Sequence, residues 1–188
     1  MKFILGLVIG LAIIPVAVFA YFASGHAPVA TSAEAMPFEK MLAHKALDAR
    51  VEKEAPKTVP MAADATNYLA GAEVYKEHCA VCHGMASGEP TAIAKGEFPR
   101  PPKLLQGKGV TDDEPGETYW KVANGIRLTG MPGFKETLSE AQMWQVSLLL
   151  AGADKIPEPV KQALMPQVPP PPSSKSMPAG PSGAPSPR

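Results

Sequence analysis

Within this 188-residue chain, Cys79-Ala80-Val81-Cys82-His83 combines residue types and spacing that specify a chemistry. The two thiols are the chain's only cysteines. Three positions apart on one helical turn, they face the same way. Each can then add to a vinyl group on the same edge of a porphyrin. The histidine that follows is placed to offer a ring nitrogen to the iron from one side, and C-x-x-C-H is the attachment signature of c-type haem. A bare C-x-x-C also serves as a redox dithiol or as half of a zinc site. Zinc needs further ligands at matched spacing, and His26, His44 and His78 form no such pair. A thioredoxin-like motif needs a strand before it, and no strand-like alternation surrounds Cys79. A disulfide across so short a loop would be strained. The adjacent histidine favours haem.

The elements around this motif read as helices. Ala65 to Cys79 is apolar on one face through Leu69, Ala72 and Tyr75, and Gly71 leaves room for a second helix to approach. Thr118 to Ala123 reads as a short helix ended by Asn124-Gly125. Ser139-Glu140-Ala141-Gln142 has the capping-box pattern. It opens an apolar helix through Met143, Trp144, Val146 and Leu148 to Leu150, stopped near Gly152.

The Tyr75…Cys79-Ala80-Val81-Cys82-His83-Gly84 segment, the Leu128-Thr129-Gly130-Met131-Pro132-Gly133-Phe134 loop and the capped Trp144 helix together resemble class I cytochromes c. The likeness spans roughly Asn67 to Ala153. More narrowly, the chain resembles membrane-anchored bacterial members that serve respiratory chains or periplasmic dehydrogenases. The resemblance implies an all-α domain around one covalently bound haem c, with its first and last helices crossing where Gly71 and Tyr75 meet the face carrying Trp144. It also implies axial ligation by His83 and by a methionine. Met131 fits that role, because its Gly-Met-Pro-Gly loop can present one side chain and it follows His83 by 48 residues. A distal histidine or an open site is the alternative. Met85 is too near the attachment turn to reach the opposite face, and Met143 reads as core. His78 reads as a solvated surface residue. In the family a proline carbonyl orients the proximal histidine, and Pro102 is the expected acceptor. Trp120, Arg127 and Lys103 are candidate partners for the haem propionates.

The ends of the chain read differently. Phe3 to Ala23 contains no charge, and at about 1.5 Å per residue it matches the hydrocarbon thickness of a bilayer. Residues 1–24 are therefore expected to be a transmembrane anchor, with cleavage as a signal peptide near Val18-Phe19-Ala20 as the alternative. Lys2 precedes the span and the next basic side chain is Lys40, which orients the chain with its haem domain outside the cytoplasm. Residues 25–63 read as a linker containing a short amphipathic helix between Pro37 and Pro56, whose apolar face is Phe38, Met41, Leu42, Ala46 and Ala49. That helix would pack on a membrane, a partner or the domain. Residues 64–155 form the expected cytochrome domain. Residues 156–188 carry 11 of the 22 prolines and read as a disordered proline-rich tail.

Charge narrows the function. The chain has 18 basic and 18 acidic side chains, without the basic excess of a nucleic-acid binder. Residues 64–155 carry nine basic and twelve acidic residues, which argues against a lysine-ringed docking face. Methionine–histidine ligation closes both axial positions and raises the reduction potential. The expected function is single-electron transfer on the periplasmic side of a bacterial inner membrane, without enzymatic turnover. The chain would act as an anchored shuttle or as the haem subunit of an oxidase or dehydrogenase complex. Its partners would be redox proteins and the membrane. The alternative is a haem enzyme or gas sensor, peroxidase-like, with a displaceable sixth ligand; another is a soluble periplasmic protein after signal cleavage.

Overall fold

Ser139 Oγ accepts a hydrogen bond from Gln142 N at 3.3 Å, and the Gln142 side chain accepts one from Ser139 N at 2.9 Å. This reciprocal cap satisfies two backbone donors that a helix start leaves free and opens α7, Glu140–Ala151. The computed structural model describes residues 2–106 and 113–165. All its regular elements are helical: α1 (Lys2–Ala23), α2 (Glu39–Glu54), α3 (Ala65–Val74), a π-helical turn (Tyr75–Cys79), α4 (Ala80–His83), α5 (Ala92–Gly96), α6 (Pro115–Asn124), α7 and α8 (Glu158–Ala163).

The core forms where α3, α6 and α8 pack on or beside α7. Val146, Leu149 and Leu150 of α7 bury against Ala72 and Tyr75, with Val122 and Ala123 of α6. Each fully buried side chain of this size contributes about 1.5–3 kcal/mol. The α3–α7 crossing depends on Gly71: a Cβ there would fall on the Gln145 carbonyl oxygen and lie 3.1 Å from Leu149 Cβ. The expected crossing is present, but the face of α7 that receives Gly71 is the Gln145–Leu149 face. Trp144 turns to α6 instead, stacking on Tyr119 with ring centroids 4.2 Å apart. Adjacent helix positions point about 100° apart, so Trp144 and Gln145 serve different neighbours.

Two further expectations are corrected here. The domain does not end at Lys155. Ile156, Val160 and Leu164 are core residues, and α8 packs on α3. Prolines at 157 and 159 start this short helix instead of preventing it, because the first helical turn has no use for their missing N–H. The rest of the expected tail, from residue 166, lies outside the described residues.

The second correction concerns α2. Its buried side is Val51, followed by Ala55, with Leu47 half-buried. This side docks on α6, where Trp120 Nε1 donates to Glu54 Oε2 at 3.2 Å. Just beyond α2, the Pro56 carbonyl fills the place a side chain at Gly116 would need. The face read from periodicity is the opposite one, and Phe38, Met41 and Leu42 stay 70%, 55% and 60% exposed. Helical spacing reports that an apolar stripe exists, not which stripe a neighbour covers.

α1 contains the stretch Gly6–Ala23 with a mean hydropathy of 2.4 and no buried residue. Among the described residues it is the one helix long and apolar enough to cross a membrane.

Candidate functional site

The attachment segment is built as one continuous run of backbone. Asp64 caps α3 by accepting from Asn67 N at 2.9 Å. The helix then widens over Tyr75–Cys79, where Ala80 N donates to Tyr75 O, five residues back. A π turn takes in one residue more than an α turn, so α4 is rotated by about 100° from where an uninterrupted helix would carry it. The run stops at Gly84, whose φ of +76° ends the helix in a conformation glycine adopts without strain. Tyr75, fully buried, locks this stop by donating its phenol proton to Gly84 O at 2.6 Å.

His83 emerges just before that turn. Its Nδ1 lies 2.7 Å from the carbonyl oxygen of Pro102. A carbonyl only accepts, so Nδ1 carries the proton and Nε2 presents its lone pair. The ring is thereby set for metal ligation through Nε2. Cys79 is half-buried against the core, and burial first, then the neighbouring Cys82, pushes its thiol up to about 12. Cys82 donates to Glu97 Oε1 at 3.3 Å; burial, then this hydrogen bond and the carboxylate charge, raise its pKa as well. Both sulfurs are thus held as protonated thiols.

Met131 sits in the loop that follows α6. Gly125, at φ +68°, ends that helix, and Ile126 N donates to Met131 O at 3.1 Å, closing the loop on itself. Thr129 Oγ1 accepts from Met131 N at 3.1 Å. Phe134 N returns to Val122 O at 2.9 Å, tying the loop's far end back to α6. The Met131 side chain is half-buried against the core, as are Leu104, Leu105 and Phe134.

Glu97 marks how near this loop comes to the attachment turn. The carboxylate that accepts from Cys82 also lies within 2.9 Å of where a Cβ on Gly130 would stand. One side chain spans the gap between the thiol and the methionine loop. His78 is a second bridge: its ring meets Phe134 edge-on at 6.1 Å, so it is half-buried packing and not the solvated residue expected. Neither link has a sequence signal, since each joins segments whose meeting depends on the complete fold.

The remaining expected residues fall in different places. Arg127 is exposed near the start of the methionine loop. Trp120 lies on α6 with its indole proton given to Glu54, so a propionate would have to displace that carboxylate. Lys103 lines a shallow cavity of about 70 Å³ with Cys82, His83, Lys95 and Arg100.

These residues fit a covalently held haem. The donor set comprises two thiols on one turn, an imidazole with Nε2 available and a thioether side chain on a neighbouring loop. Around them, Cys79, Leu104, Leu105, Met131 and Phe134 pack on the core yet stay only partly covered. A flat apolar group would complete their burial.

Residues 66–148 match the family described as cytochrome c oxidase, cbb3-type, subunit III. Among solved structures, a chain of the reducing HAO-like protein complex of Kuenenia stuttgartiensis is similar at 23% identity, with a TM-score of 0.44. That alignment covers 54% of this chain and 52% of the other; the present chain thus matches about half the length of that neighbour. No curated protein matches this chain.

Proposed function

We propose that this c-type cytochrome is a mono-haem electron carrier, held by α1 at the periplasmic face of a bacterial inner membrane. The observation that carries the reading is the Cys79, Cys82 and His83 turn with the His83 Nδ1 proton fixed on Pro102. Cys79 and Cys82 would hold the haem through thioether bonds, and His83 Nε2 and Met131 Sδ would ligate its iron. A haem held in this way would supply one-electron chemistry. The chain's own contribution is to keep both ligands in place through oxidation and reduction, so little rearranges when the electron moves. The Pro102 carbonyl maintains the imidazole's orientation and basicity. Closure of the methionine loop by Ile126 and Thr129 limits the freedom of Met131 to leave. Arg127, which is exposed, would pair with a propionate; Trp120 would do so only by releasing Glu54.

In this reading residues 1–24 are the anchor and residues 25–63 the connection. The haem domain starts at residue 64 and extends to Leu164. Because α2 docks on α6, the connection between anchor and domain shortens to the stretch between Ala23 and Glu39. Fifteen residues reach at most about 50 Å when extended, which keeps the haem domain near the bilayer and its partners close to the membrane.

Expression of the full chain with c-type maturation tests the reading. The expected result is a membrane-bound band that retains haem under denaturing conditions, with one haem per chain by mass. A haem-free or soluble product overturns it, the latter in favour of signal cleavage. Rapid carbon monoxide binding by the reduced protein would favour the haem enzyme or gas sensor.

The exposed Phe38, Met41 and Leu42 face favours a second form of the same function, a fixed haem subunit of a respiratory oxidase or dehydrogenase complex. Subunits that co-purify in constant ratio in mild detergent select this form over the free shuttle.

A further inference from the structure

We propose that Glu97 is an electrostatic control on the reduction potential: its fixed negative charge at the attachment edge stabilises the oxidised site and lowers the midpoint potential. This inference rests on the haem-attachment reading above.

Three observations place the charge. Glu97 directly follows α5, and Thr91 fastens that helix to the attachment turn. The Thr91 hydroxyl donates to Val81 O at 2.6 Å and accepts from Ala94 N at 3.1 Å. The Glu97 backbone is therefore delivered beside α4 by a short, doubly tied element. Its carboxylate then meets Cys82 Sγ at 3.3 Å. Because Cys82 is one of the two points that hold the porphyrin, a group in contact with its sulfur lies at the ring's edge. Finally, the methionine loop is glycine where the carboxylate reaches it. A Cβ at Gly130 would stand 2.7 Å from Glu97 Cδ and 2.9 Å from each oxygen.

The charge matters because of where it is. Glu97 is half-buried, whereas Lys95, Arg100 and Lys103 around the neighbouring cavity are exposed. Charges in water are strongly screened, and partly buried ones much less so. The three cations oppose the effect of Glu97, but from a better solvated position. Once Cys82 is a thioether its sulfur has no proton to donate, so that hydrogen bond is gone and the carboxylate remains as a bare acceptor at the edge. Reduction adds an electron beside this negative charge and is disfavoured by it. Glu97 thus tunes the site through its charge without ligating the iron.

The test is redox titration of the full-length, haem-loaded protein in detergent at fixed pH and ionic strength. Glu97→Gln keeps the size and removes the charge, and its midpoint potential is expected to rise. Glu97→Asp keeps the charge and should stay closer to the parent than Glu97→Gln does. An unchanged midpoint in Glu97→Gln overturns the proposal, and so does a Glu97→Asp shift as large as that of Glu97→Gln, which would point to shape instead of charge. If Glu97→Gln fails to acquire haem, Glu97→Ala carries the same expectation. Loss of haem from both charge-free variants but not from Glu97→Asp also overturns the proposal, by assigning Glu97 to attachment. Absence of covalent haem from the parent chain would instead refute the reading on which the inference rests.

Discussion

His83 Nδ1 donates to the Pro102 carbonyl oxygen across 2.7 Å, linking residues 19 positions apart. The acceptor belongs to the backbone, so the proline segment does more than pass around the site. It chooses the imidazole tautomer and leaves the Nε2 lone pair available for a ligand role. Tyr75 reinforces the arrangement from the other side of the turn through its bond to Gly84 O.

Replacing either attachment cysteine should remove one thioether bond. Cys79→Ala and Cys82→Ala are each expected to give sharply reduced haem staining after denaturing electrophoresis, and a domain that unfolds at lower temperature. The partly covered Leu104, Leu105, Met131 and Phe134 side chains would lose the group that completes their burial. Parent-level staining in either variant would refute its role as an attachment point.

Met131→Ala should keep the covalent haem, since its loop is far in sequence from the attachment turn. The midpoint potential should fall, because methionine ligation raises it. The reduced protein should bind carbon monoxide rapidly. A potential equal to the parent's would remove Met131 from the ligand set.

Tyr75 predicts an alkaline limit to stability. Burial, and then the nearby Cys79, raise its phenol above the usual 10.0. When Cys79 is a thioether its contribution disappears, and burial remains. The folded protein then holds the phenol proton more tightly than the unfolded chain does. Stability is undiminished below about pH 10 and falls as pH rises from there toward the raised value, by up to about 1.4 kcal/mol per pH unit. Tyr75→Phe should cost about 1–3 kcal/mol at neutral pH, because Gly84 O loses a buried donor. It should also flatten the decline above pH 10. Urea unfolding at pH 7 and pH 11 measures both effects; an equal alkaline decline in the variant would exclude Tyr75 as its source.

Truncation separates core from tail. A chain ending at Met165 keeps Ile156, Val160 and Leu164 and should melt close to the full chain, with an unaltered spectrum. A chain ending at Lys155 loses all three from the core. At about 1.5–3 kcal/mol for each buried side chain, that loss rivals a total stability of about 5–15 kcal/mol. Equal melting temperatures for the two truncations would show that α8 contributes nothing.

The readable features were those governed by neighbours in sequence. The α7 start needed only Ser139 and Gln142, three positions apart, and the end of α6 needed only Gly125. Gly71 signalled a close helix crossing, since a missing Cβ is visible in the sequence. The surface it meets is not visible, so the expected Trp144 face gives way to Gln145 and Leu149. The α2 stripe failed for the same reason. Phe38, Met41 and Leu42 have helical spacing as good as that of Leu47, Val51 and Ala55, and only the position of α6 chooses between them. Prolines at 157 and 159 suggested a tail, although the same residues are compatible with a helix start. Their packing follows from Val160 and Leu164 reaching α3.

By itself, the sequence determined the chemistry: two thiols and an imidazole on one turn, a methionine in a glycine-bounded loop, and an apolar span ahead of them. Those are matters of covalent spacing and local backbone preference, which survive any arrangement of the rest. Tertiary structure alone decided that Glu97 lies between Cys82 and Gly130, that His78 packs on Phe134, and that α2 fastens to α6. Each of these contacts joins separate segments, and their distances are set only when the whole core closes.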